Sequence, residues 1–320
     1  MRRNPDDRAW EGTRAWVEEV LGDGARVDAV VRLMGGWTSE MRRLRVSGVG
    51  DADAFVLRSF VRPFFVRHAE ALLLREAATL RLLSGTGVPA PVLYGVDAAG
   101  DHCDHPSLLM SRLPGSVRLE TEGHEPRTAR LARQLVGIHR LRLPVRDRPR
   151  DYQAWTTPER VRIPEATDRP VVWRRAVDLI RRDPPSCRGT FLHRDFHPGN
   201  VLFTGQGTDL VVSGVVDWVE TSWGPSDLDV AHCSTALALL HGVPAGMRMA
   251  EEYVAAGGTL SPNPADHLYW RLLDALAFAP DAEKVAVPWR ELGRTDLTPA
   301  VLERRLESYL AELLRRYGDG

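Results

Sequence analysis

The spacing of apolar residues changes along this chain, and that change constrains its fold more than any other feature of the sequence. In the first 112 residues, short runs alternate between apolar and polar side chains, a period of two that is typical of β-strands. From about residue 125 onward, apolar residues recur every three or four positions, which is typical of helices that bury one face. The sequence therefore predicts a sheet-rich N-terminal part and a helical C-terminal part.

Individual elements follow from the same pattern. A short helix is predicted over 10–21, four strands at 27–34, 41–49, 54–60 and 107–112, and a strongly amphipathic helix at 68–83. The C-terminal part has two short predicted strands, at 190–193 and 209–216, and predicted helices at 127–141, 171–182, 227–240, 249–256, 264–278 and 299–317.

The chain has 320 residues, more than one ordinary domain. We predict an α+β fold with two unequal lobes. Residues 1–112 form an antiparallel sheet with one main helix, and residues 113–320 form a larger, mostly helical lobe.

Lysine usage excludes two large classes of enzyme. The 42 basic residues include one lysine, Lys284, and therefore 41 arginines. Lys284 stands in Ala-Glu-Lys-Val, not after the glycines of a phosphate-binding P-loop. Lysine imine and pyridoxal chemistry would need the same residue, and its neighbours are not suited to it. The formal net charge of −1 argues against a nucleic-acid partner.

The cysteines and the N-terminus indicate a compartment. Cys103, Cys187 and Cys233 are far apart in the sequence, so they form neither a disulfide framework nor a zinc cluster. The first 24 residues are densely charged, unlike a signal peptide, and no apolar run approaches the roughly eighteen residues of a membrane span. We expect a cytoplasmic protein with no membrane partner.

One segment carries most of the chemical information. The predicted strand at 190–193 leads to Asp195, and Asn200 follows five positions later, after a turn with proline and glycine. The next predicted strand leads to a second acid, Asp217. Phosphoryl transfer needs a carboxylate that orients and deprotonates the attacking hydroxyl, and oxygen ligands that hold Mg²⁺. Asp195 fits the first role, and Asn200 and Asp217 fit the second.

Two other interpretations of this segment remain open from the residues alone. His193, Asp195 and His197 alternate along the chain and can be metal ligands of a hydrolase, with His232 and His241 as further ligands. Alternatively, the segment is a structural turn capped by its asparagine. The second acid at the end of another strand favours phosphoryl transfer over both.

The segment resembles the catalytic and metal-binding loops of the aminoglycoside phosphotransferase and choline-kinase-like family, small-molecule relatives of protein kinases. The family pattern His-Gly/Arg-Asp-x-His-x-x-Asn is matched at 193–200, Val-Asp-Trp at 216–218, and Gly-x₄-Asp-Val-Ala at 224–231. The resemblance implies a bilobal protein-kinase-like fold, Mg²⁺, ATP or GTP as cosubstrate, and a hydroxylated small-molecule acceptor. It implies catalysis by Asp195, metal binding by Asn200 and Asp217, and structural support from His193, His197 and Asp229.

The resemblance also assigns nucleotide binding to the N-terminal lobe. It implies that the turn at 35–39 is a lid over the phosphates. It implies that Arg58, at a position where the family has Lys or Arg and protein kinases have lysine, neutralises phosphate charge and pairs with Glu76 on the following helix. It also implies that a hinge at 110–113 binds the base through its main chain. From the residues alone, a hairpin turn, a surface arginine on an edge strand and a plain core strand remain the alternatives. The implied nucleotide-binding residues are Gly36, Thr38, Ser39, Arg58, Glu76, Met110, Ser111 and Leu113.

The acceptor is less constrained. Residues 217–283 hold ten acids against two arginines, a composition that suits a cationic acceptor such as an aminoglycoside. Tryptophans in the same region can stack on a sugar or enclose a quaternary amine. The candidate acceptor residues are Glu220, Asp227, Trp223, Asp274 and Trp270. We expect a kinase of hydroxylated antibiotics; the alternatives are a metabolic kinase of choline, a sugar or an amino alcohol, and a nucleotide-binding pseudokinase.

Overall fold

A computed structural model describes residues 5–34, 38–50, 54–279 and 282–318. The chain divides into two compact units: unit 1 is Met1–Pro114 with Val216–Val219, and unit 2 is Gly115–Val215 with Glu220–Gly320. A single boundary at residue 112 assigns Val216–Val219 to the C-terminal lobe, whereas the structure groups this segment with unit 1.

Unit 1 is built on one antiparallel sheet. Its elements are α1 (Pro5–Leu21), β1 (Arg26–Leu33), β2 (Glu40–Ser47), β3 (Ala54–Ser59), α2 (Pro63–Val66), α3 (Ala69–Leu83), β4 (Leu93–Asp97) and β5 (Ser107–Ser111). The strand order is β1-β2-β3-β5-β4, and every neighbouring pair is antiparallel.

The core of unit 1 follows from the strand periodicity. On β2, Leu44 and Val46 are buried, while the arginines between and beside them face outward. β3 is buried along almost its whole length, because both faces of this central strand are covered. Arg58 therefore lies inside the unit with only 3% of its surface exposed, so its charge needs buried partners.

β4 was not predicted from the sequence because Gly95 interrupts the short apolar run. A Cβ atom at this position would come within 2.9 Å of the Val20 side chain and 3.1 Å of the Trp16 ring on α1. The glycine therefore allows α1 to pack closely on the strand.

Unit 2 is mostly helical. Its elements are β6 (Ser116–Val117), α4 (His124–His139), α5 (Pro170–Leu179), β7 (Thr190–Leu192), β8 (Val201–Thr204), β9 (Val211–Val215), β10 (Ser222–Gly224), α6 (Ser226–His241), α7 (Val243–Ala255), α8 (Pro264–Leu276), α9 (Glu283–Glu291) and α10 (Pro299–Tyr317). β10 pairs with β7, and β6, β8 and β9 form a three-stranded sheet.

These elements confirm the α+β class, with an antiparallel sheet in the N-terminal unit and helices in the C-terminal one. All six helices predicted after residue 125 are present. α9, β6, β8 and β10 were not predicted: Pro288 interrupts the helical pattern of α9, and the three strands have only two to four residues.

α6 is the central helix of unit 2. Every residue from Asp227 to Leu240 is buried, so this helix packs against neighbours on all sides. It also buries the polar side chains Asp229 and His232, which makes it the element that positions the candidate site. Among the described residues, no helix is both long and apolar enough to cross a membrane.

Candidate active site

The loop after β7 is held by a carboxylate from the central helix. Asp229 on α6 accepts hydrogen bonds from the backbone N–H groups of His193 (2.8 Å) and Arg194 (2.7 Å). His139 of α4 contacts the same carboxylate at 3.1 Å. Burial acts to raise the pKa of Asp229, but the bonds from His139 hold it below its ordinary value, so the side chain remains an acceptor.

The backbone of this loop has one unusual residue. Arg194 has a left-handed φ of 72°, which glycine or asparagine adopts more readily. Its guanidinium lies over the ring of Trp155 at 4.3 Å and donates to the carbonyl of Gln153. The bonds to Asp229 and this stacking hold a conformation that costs about 1–2 kcal/mol.

Asn200 is bonded to Asp195. Its Nδ2 donates to the backbone carbonyl of Asp195 at 2.9 Å and to Oδ2 of the same residue at 3.1 Å. The short 3₁₀ turn Pro198–Asn200 sets this approach, and Nδ1 of His197 caps it by accepting from the N–H of Gly199. A Cβ at Gly199 would meet the His197 ring within 2.7 Å, so the turn depends on glycine.

The oxygen of the Asn200 amide suits a divalent cation. Both bonds to Asp195 use Nδ2, which leaves Oδ1, a neutral oxygen of the kind that Mg²⁺ accepts, for a ligand. Along the chain, Asn200 immediately precedes β8, and Asp217 follows β9 by two residues. In the paired strands, Val201 lies opposite Val215. The donor set therefore fits the magnesium interpretation.

His232, named from the sequence only as a metal ligand of the hydrolase interpretation, contacts the catalytic candidate Asp195 instead. Its Nε2 lies 3.0 Å from Oδ1 of Asp195, and its Nδ1 lies 3.1 Å from Oδ1 of Asp274 on α8. Burial acts to lower the pKa of His232, but the two carboxylates raise it to about 9. Its position in the sequence, one helical turn after Asp229, was the available signal.

The charge of Asp195 follows from these neighbours. Burial acts to raise the pKa of Asp195, but His197, His232 and His193 outweigh burial and hold the pKa well below that of an ordinary aspartate. His193 is fully buried, and its Nδ1 accepts from the Asp195 N–H at 3.2 Å. Asp195 is therefore an ionised acceptor at neutral pH.

The hydrolase interpretation requires imidazole nitrogens with a lone pair to give. Asp195, His197 and His232 place ligand atoms within 4.8 Å of one another. However, Nδ1 of His197 accepts from a backbone N–H, so Nε2 carries its proton. Both nitrogens of His232 face carboxylates and are donors. This hydrogen bonding disfavours a metal held by these two rings.

A second cluster lies in unit 1. Nη1 of Arg58 contacts both Glu76 oxygens at 3.0 and 3.1 Å and Oδ1 of Asp217 at 2.9 Å. Burial acts to lower the pKa of Arg58, but Asp217 and Glu76 raise it above its ordinary value. Glu76 also accepts from the backbone N–H of Trp218. The structure thus brings together Arg58 and Glu76 as expected, and adds Asp217 to the pair.

Two lid residues and the hinge can also be placed. Thr38 accepts a long bond from Arg58 (3.4 Å), and Ser39 is buried. Gly36 lies outside the described residues. Met110 is buried on β5 and Leu113 is half-buried. The N–H of Ser111 donates to the carbonyl of Val92 at 2.8 Å, so this donor is used inside unit 1 and a base would have to pair with other main-chain groups of the hinge.

The acidic candidates for acceptor binding have partners within unit 2. Asp227 is 2% exposed and contacts His267 at 2.9 Å, and Asp274 is 3% exposed and contacts His232. Glu220 forms an ion pair with Arg150 at 2.8 Å. Because these carboxylates are already hydrogen-bonded or ion-paired within unit 2, they do not form the cation-binding surface that their sequence positions suggested.

The two tryptophan candidates differ from expectation as well. Trp270 is fully buried in the helical core. Trp223 carries the guanidinium of Arg148 over its ring at 4.3 Å. It lines a cavity of about 310 Å³ together with Arg142 and Arg188. These surroundings suit an anion, because the ring face that would bind a cation already holds one.

The sequence is similar to that of a known enzyme family. A sequence profile of the APH phosphotransferase enzyme family matches residues 30–273, or 244 of the 320 residues. The chain belongs to this family. The APH-family enzyme is accordingly a phosphotransferase that acts on a hydroxyl group of a small molecule. No curated protein sequence matches the chain significantly.

Solved structures share the fold of this APH-family enzyme. A thermostable variant of aminoglycoside phosphotransferase APH(4)-Ia, in a ternary complex with ADP and hygromycin B, has 15% identity and a TM-score of 0.61 over 97% of this chain and 99% of that one. The GDP and kanamycin complex of APH(2″)-IIIa has 14% identity and a TM-score of 0.60 over 96% and 98%. A choline/ethanolamine kinase family protein from Mesorhizobium loti has 18% identity and a TM-score of 0.56 over 97% and 94%.

Proposed function

We propose that this enzyme transfers the γ-phosphoryl group of ATP or GTP to a hydroxyl group of a small, hydroxylated molecule in a Mg²⁺-dependent reaction. The observation that carries the proposal is the fixation of Asp195. Its loop is tied to Asp229 through two backbone bonds, and its carboxylate contacts Asn200 and His232. Such a rigid, ionised carboxylate is what a phosphotransferase needs to orient an attacking alcohol.

In the proposed reaction, Asp195 accepts the hydrogen bond of the acceptor hydroxyl. The hydroxyl oxygen forms a bond to the γ-phosphorus, the bond from that phosphorus to the bridging oxygen of the nucleotide breaks, and the hydroxyl proton passes to the Asp195 carboxylate. The low pKa of Asp195 makes it a weak base. Its contribution is therefore mostly orientation, which is what a loose phosphoryl-transfer transition state requires.

We assign the nucleotide and metal roles to the following residues. Unit 1 is proposed to bind the nucleotide, with Arg58 neutralising its phosphates, and unit 2 to carry catalysis and the acceptor. Asn200 and Asp217 are proposed as the protein ligands of Mg²⁺, since both present oxygen donors. When bound, Mg²⁺ neutralises charge on the transferred phosphoryl group.

The acceptor proposed first is an aminoglycoside or another hydroxylated antibiotic. Structural neighbours with the same fold were solved with hygromycin B and with kanamycin. Asp227, Asp274 and Glu220 do not support a polycationic acceptor, because each is paired within unit 2. The acceptors tested in a transfer assay must therefore include uncharged polyols as well as choline and ethanolamine.

The test is a transfer assay with matched variants. The purified chain is incubated with Mg²⁺ and γ-labelled ATP or GTP against aminoglycosides, other hydroxylated antibiotics, choline, ethanolamine and sugars. We expect labelled product with at least one acceptor. Asp195→Asn, which keeps the shape of the side chain, should lower kcat by about 10²- to 10⁴-fold.

Two outcomes contradict the proposal. Transfer by Asp195→Asn at the parental rate removes this residue from catalysis. No transfer by the parent to any acceptor, together with tight binding of Mg²⁺-nucleotide, supports the pseudokinase alternative.

A further inference from the structure

His232 occupies a position that the proposed reaction does not by itself require. Its two ring nitrogens contact carboxylates from two different segments: Asp195 at 3.0 Å, in the loop after β7, and Asp274 at 3.1 Å, on α8. The ring is 4% exposed. These contacts are therefore the means by which the enclosed ring can affect the charge and the orientation of the Asp195 carboxylate.

The contacts determine the protonation of the ring. An ionised carboxylate only accepts hydrogen bonds, so each nitrogen that faces one must donate. With a carboxylate on each side, both nitrogens carry protons and the ring is an imidazolium cation. One positive charge then balances part of the charge of the buried Asp274 and the half-buried Asp195, which makes the burial of Asp274 tolerable.

Asp274 is itself fixed. Its Oδ2 accepts from the hydroxyl of Thr235 at 2.8 Å, and that hydroxyl lies near the Ala231 carbonyl at 2.9 Å on the same turn of α6. Asp274 thus holds one edge of the imidazolium at a set position, and the opposite edge meets Oδ1 of Asp195. The chain of contacts from Thr235 to Asp195 leaves the carboxylate little freedom to rotate.

We propose that His232, held as an imidazolium between Asp195 and Asp274, is a positioning residue that fixes the Asp195 carboxylate for the acceptor hydroxyl. The inference rests on the proposed function, because it presupposes that Asp195 acts on the acceptor. His232 binds Oδ1, while Oδ2 contacts Asn200. The two contacts together define the plane of the carboxylate.

The pH dependence follows from the groups that face the ring. The titratable ones are Asp195 and His197 from the loop after β7 and Asp274 from α8; Trp155 and Phe278 contribute uncharged ring contacts at 5.0 and 5.8 Å. His232 is charged below its pKa of about 9 and loses one N–H donor above it. Positioning is therefore expected at neutral pH and lost as the pH rises through about 9.

The first measurement follows kcat against pH with the acceptor found in the transfer screen. The parent should show a fall in kcat above about pH 9. His232→Ala should lower kcat by about 10- to 100-fold, as for other residues that orient a functional group. The KM of the nucleotide should stay within about twofold. His232→Gln, whose amide can still donate to Asp195, should recover part of kcat and lack the alkaline fall.

Asp274→Asn tests directly whether the pKa of His232 sets the alkaline fall in kcat. It removes one of the two charges that stabilise the imidazolium, so the alkaline fall should move to lower pH by about 1–3 units. His267→Gln is the matched control. His267 is also a buried histidine of unit 2 bonded to an aspartate, Asp227, and its hydrogen bonds do not reach Asp195. It should leave the position of the alkaline fall unchanged.

A second readout does not depend on turnover. Nitrogen NMR of the histidine rings in the free enzyme should show one ring, absent in His232→Gln, that remains doubly protonated at pH 8. In Asp274→Asn the same ring should lose its second proton at lower pH. Thermal melting of each variant confirms that it is folded.

The outcomes separate the two proposals. An inactive Asp195→Asn beside a His232→Ala variant with parental kcat and parental pH profile overturns this inference and leaves the proposed function standing. A His232 ring that titrates near 6.5, the value of an isolated histidine, also overturns it. A fully active Asp195→Asn overturns the proposed function instead.

Discussion

The two units use the same charge arrangement with different cations. In unit 1, Arg58 lies between the carboxylates of Glu76 and Asp217. In unit 2, His232 lies between those of Asp195 and Asp274. In each cluster, one cation and two acids meet at distances of about 3 Å, and one of the acids is a residue assigned to the reaction.

The difference lies in the response to pH. Arg58 keeps its charge at any pH that the protein can experience, since its pKa is raised further by its partners. His232 has a pKa of about 9 and can release a proton. A permanent cation therefore makes its cluster insensitive to pH but intolerant of a lost partner, whereas a titratable cation can lose its proton when a partner is removed.

The largest expected effect is on unit 1. Glu76→Gln leaves the buried Arg58 with a single carboxylate, and the guanidinium cannot neutralise itself. We expect the free energy of unfolding to fall by about 3–5 kcal/mol, as for other buried pairs that lose one partner. Urea titration at pH 7 measures it. A loss below about 1 kcal/mol would mean that solvent or Asp217 compensates fully.

Asp274→Asn, the equivalent substitution in unit 2, should lower the free energy of unfolding by less, and the loss should depend on pH. Asp274→Asn at pH 7 should lower the unfolding free energy by about 1–3 kcal/mol. Because the folded pKa of His232 is raised, its contribution to stability is complete below an unfolded value of about 6.5 and disappears as pH rises through about 9. The loss of unfolding free energy caused by Asp274→Asn should therefore become smaller between pH 7 and pH 10, while the loss caused by Glu76→Gln should stay constant. If the two losses change with pH in the same way, the distinction between the clusters is wrong.

A smaller effect is expected from Arg58→Lys. A lysine keeps the charge but offers one nitrogen, whereas the guanidinium contacts both acids through Nη1 and Thr38 through Nη2. Loss of one charge-assisted bond, worth about 1.5 kcal/mol, corresponds to roughly a tenfold rise in the KM of the nucleotide. The KM of the acceptor should not change, and the alkaline fall in kcat should stay near the parental pH. A shifted fall would show that Arg58, and not His232, sets the pH profile.

The smallest effect is expected at an exposed ion pair. Glu312→Gln removes the partner of Arg315 on the surface of α10. We expect the thermal midpoint to move by less than about 2 °C, because exposed pairs contribute little. A larger shift would show that burial does not explain the greater loss of stability expected when Glu76 is replaced.

Much of the fold and of the catalytic loop could be predicted because the relevant signals are local. Apolar periodicity located the strands of unit 1 and most helices of unit 2. The spacing from Asp195 to Asn200 is set by a single turn, so the two side chains had to lie close to each other. Short or interrupted elements such as β4, with its internal Gly95, gave too weak a pattern.

The acceptor residues were harder to predict because a sequence does not show which acids are paired. Asp227 and Asp274 sit in an acidic stretch that suggested an exposed, cation-binding face. The structure buries both, each against a histidine. The partners are 40 and 42 residues away in the chain, and only the packing of α6 against α8 brings them together.

Residues close together along the chain were enough to predict the division into a sheet part and a helical part, and to propose Asp195, Asn200 and Asp217 for the reaction. The electrostatic environment of Asp195 could be read only from the packed structure. Its charge and orientation depend on His232 and Asp274, which helix packing brings to within about 3 Å of their partners. The physical reason is that hydrophobic periodicity acts over a few residues, whereas a pKa responds to whatever burial and distant segments place beside the group.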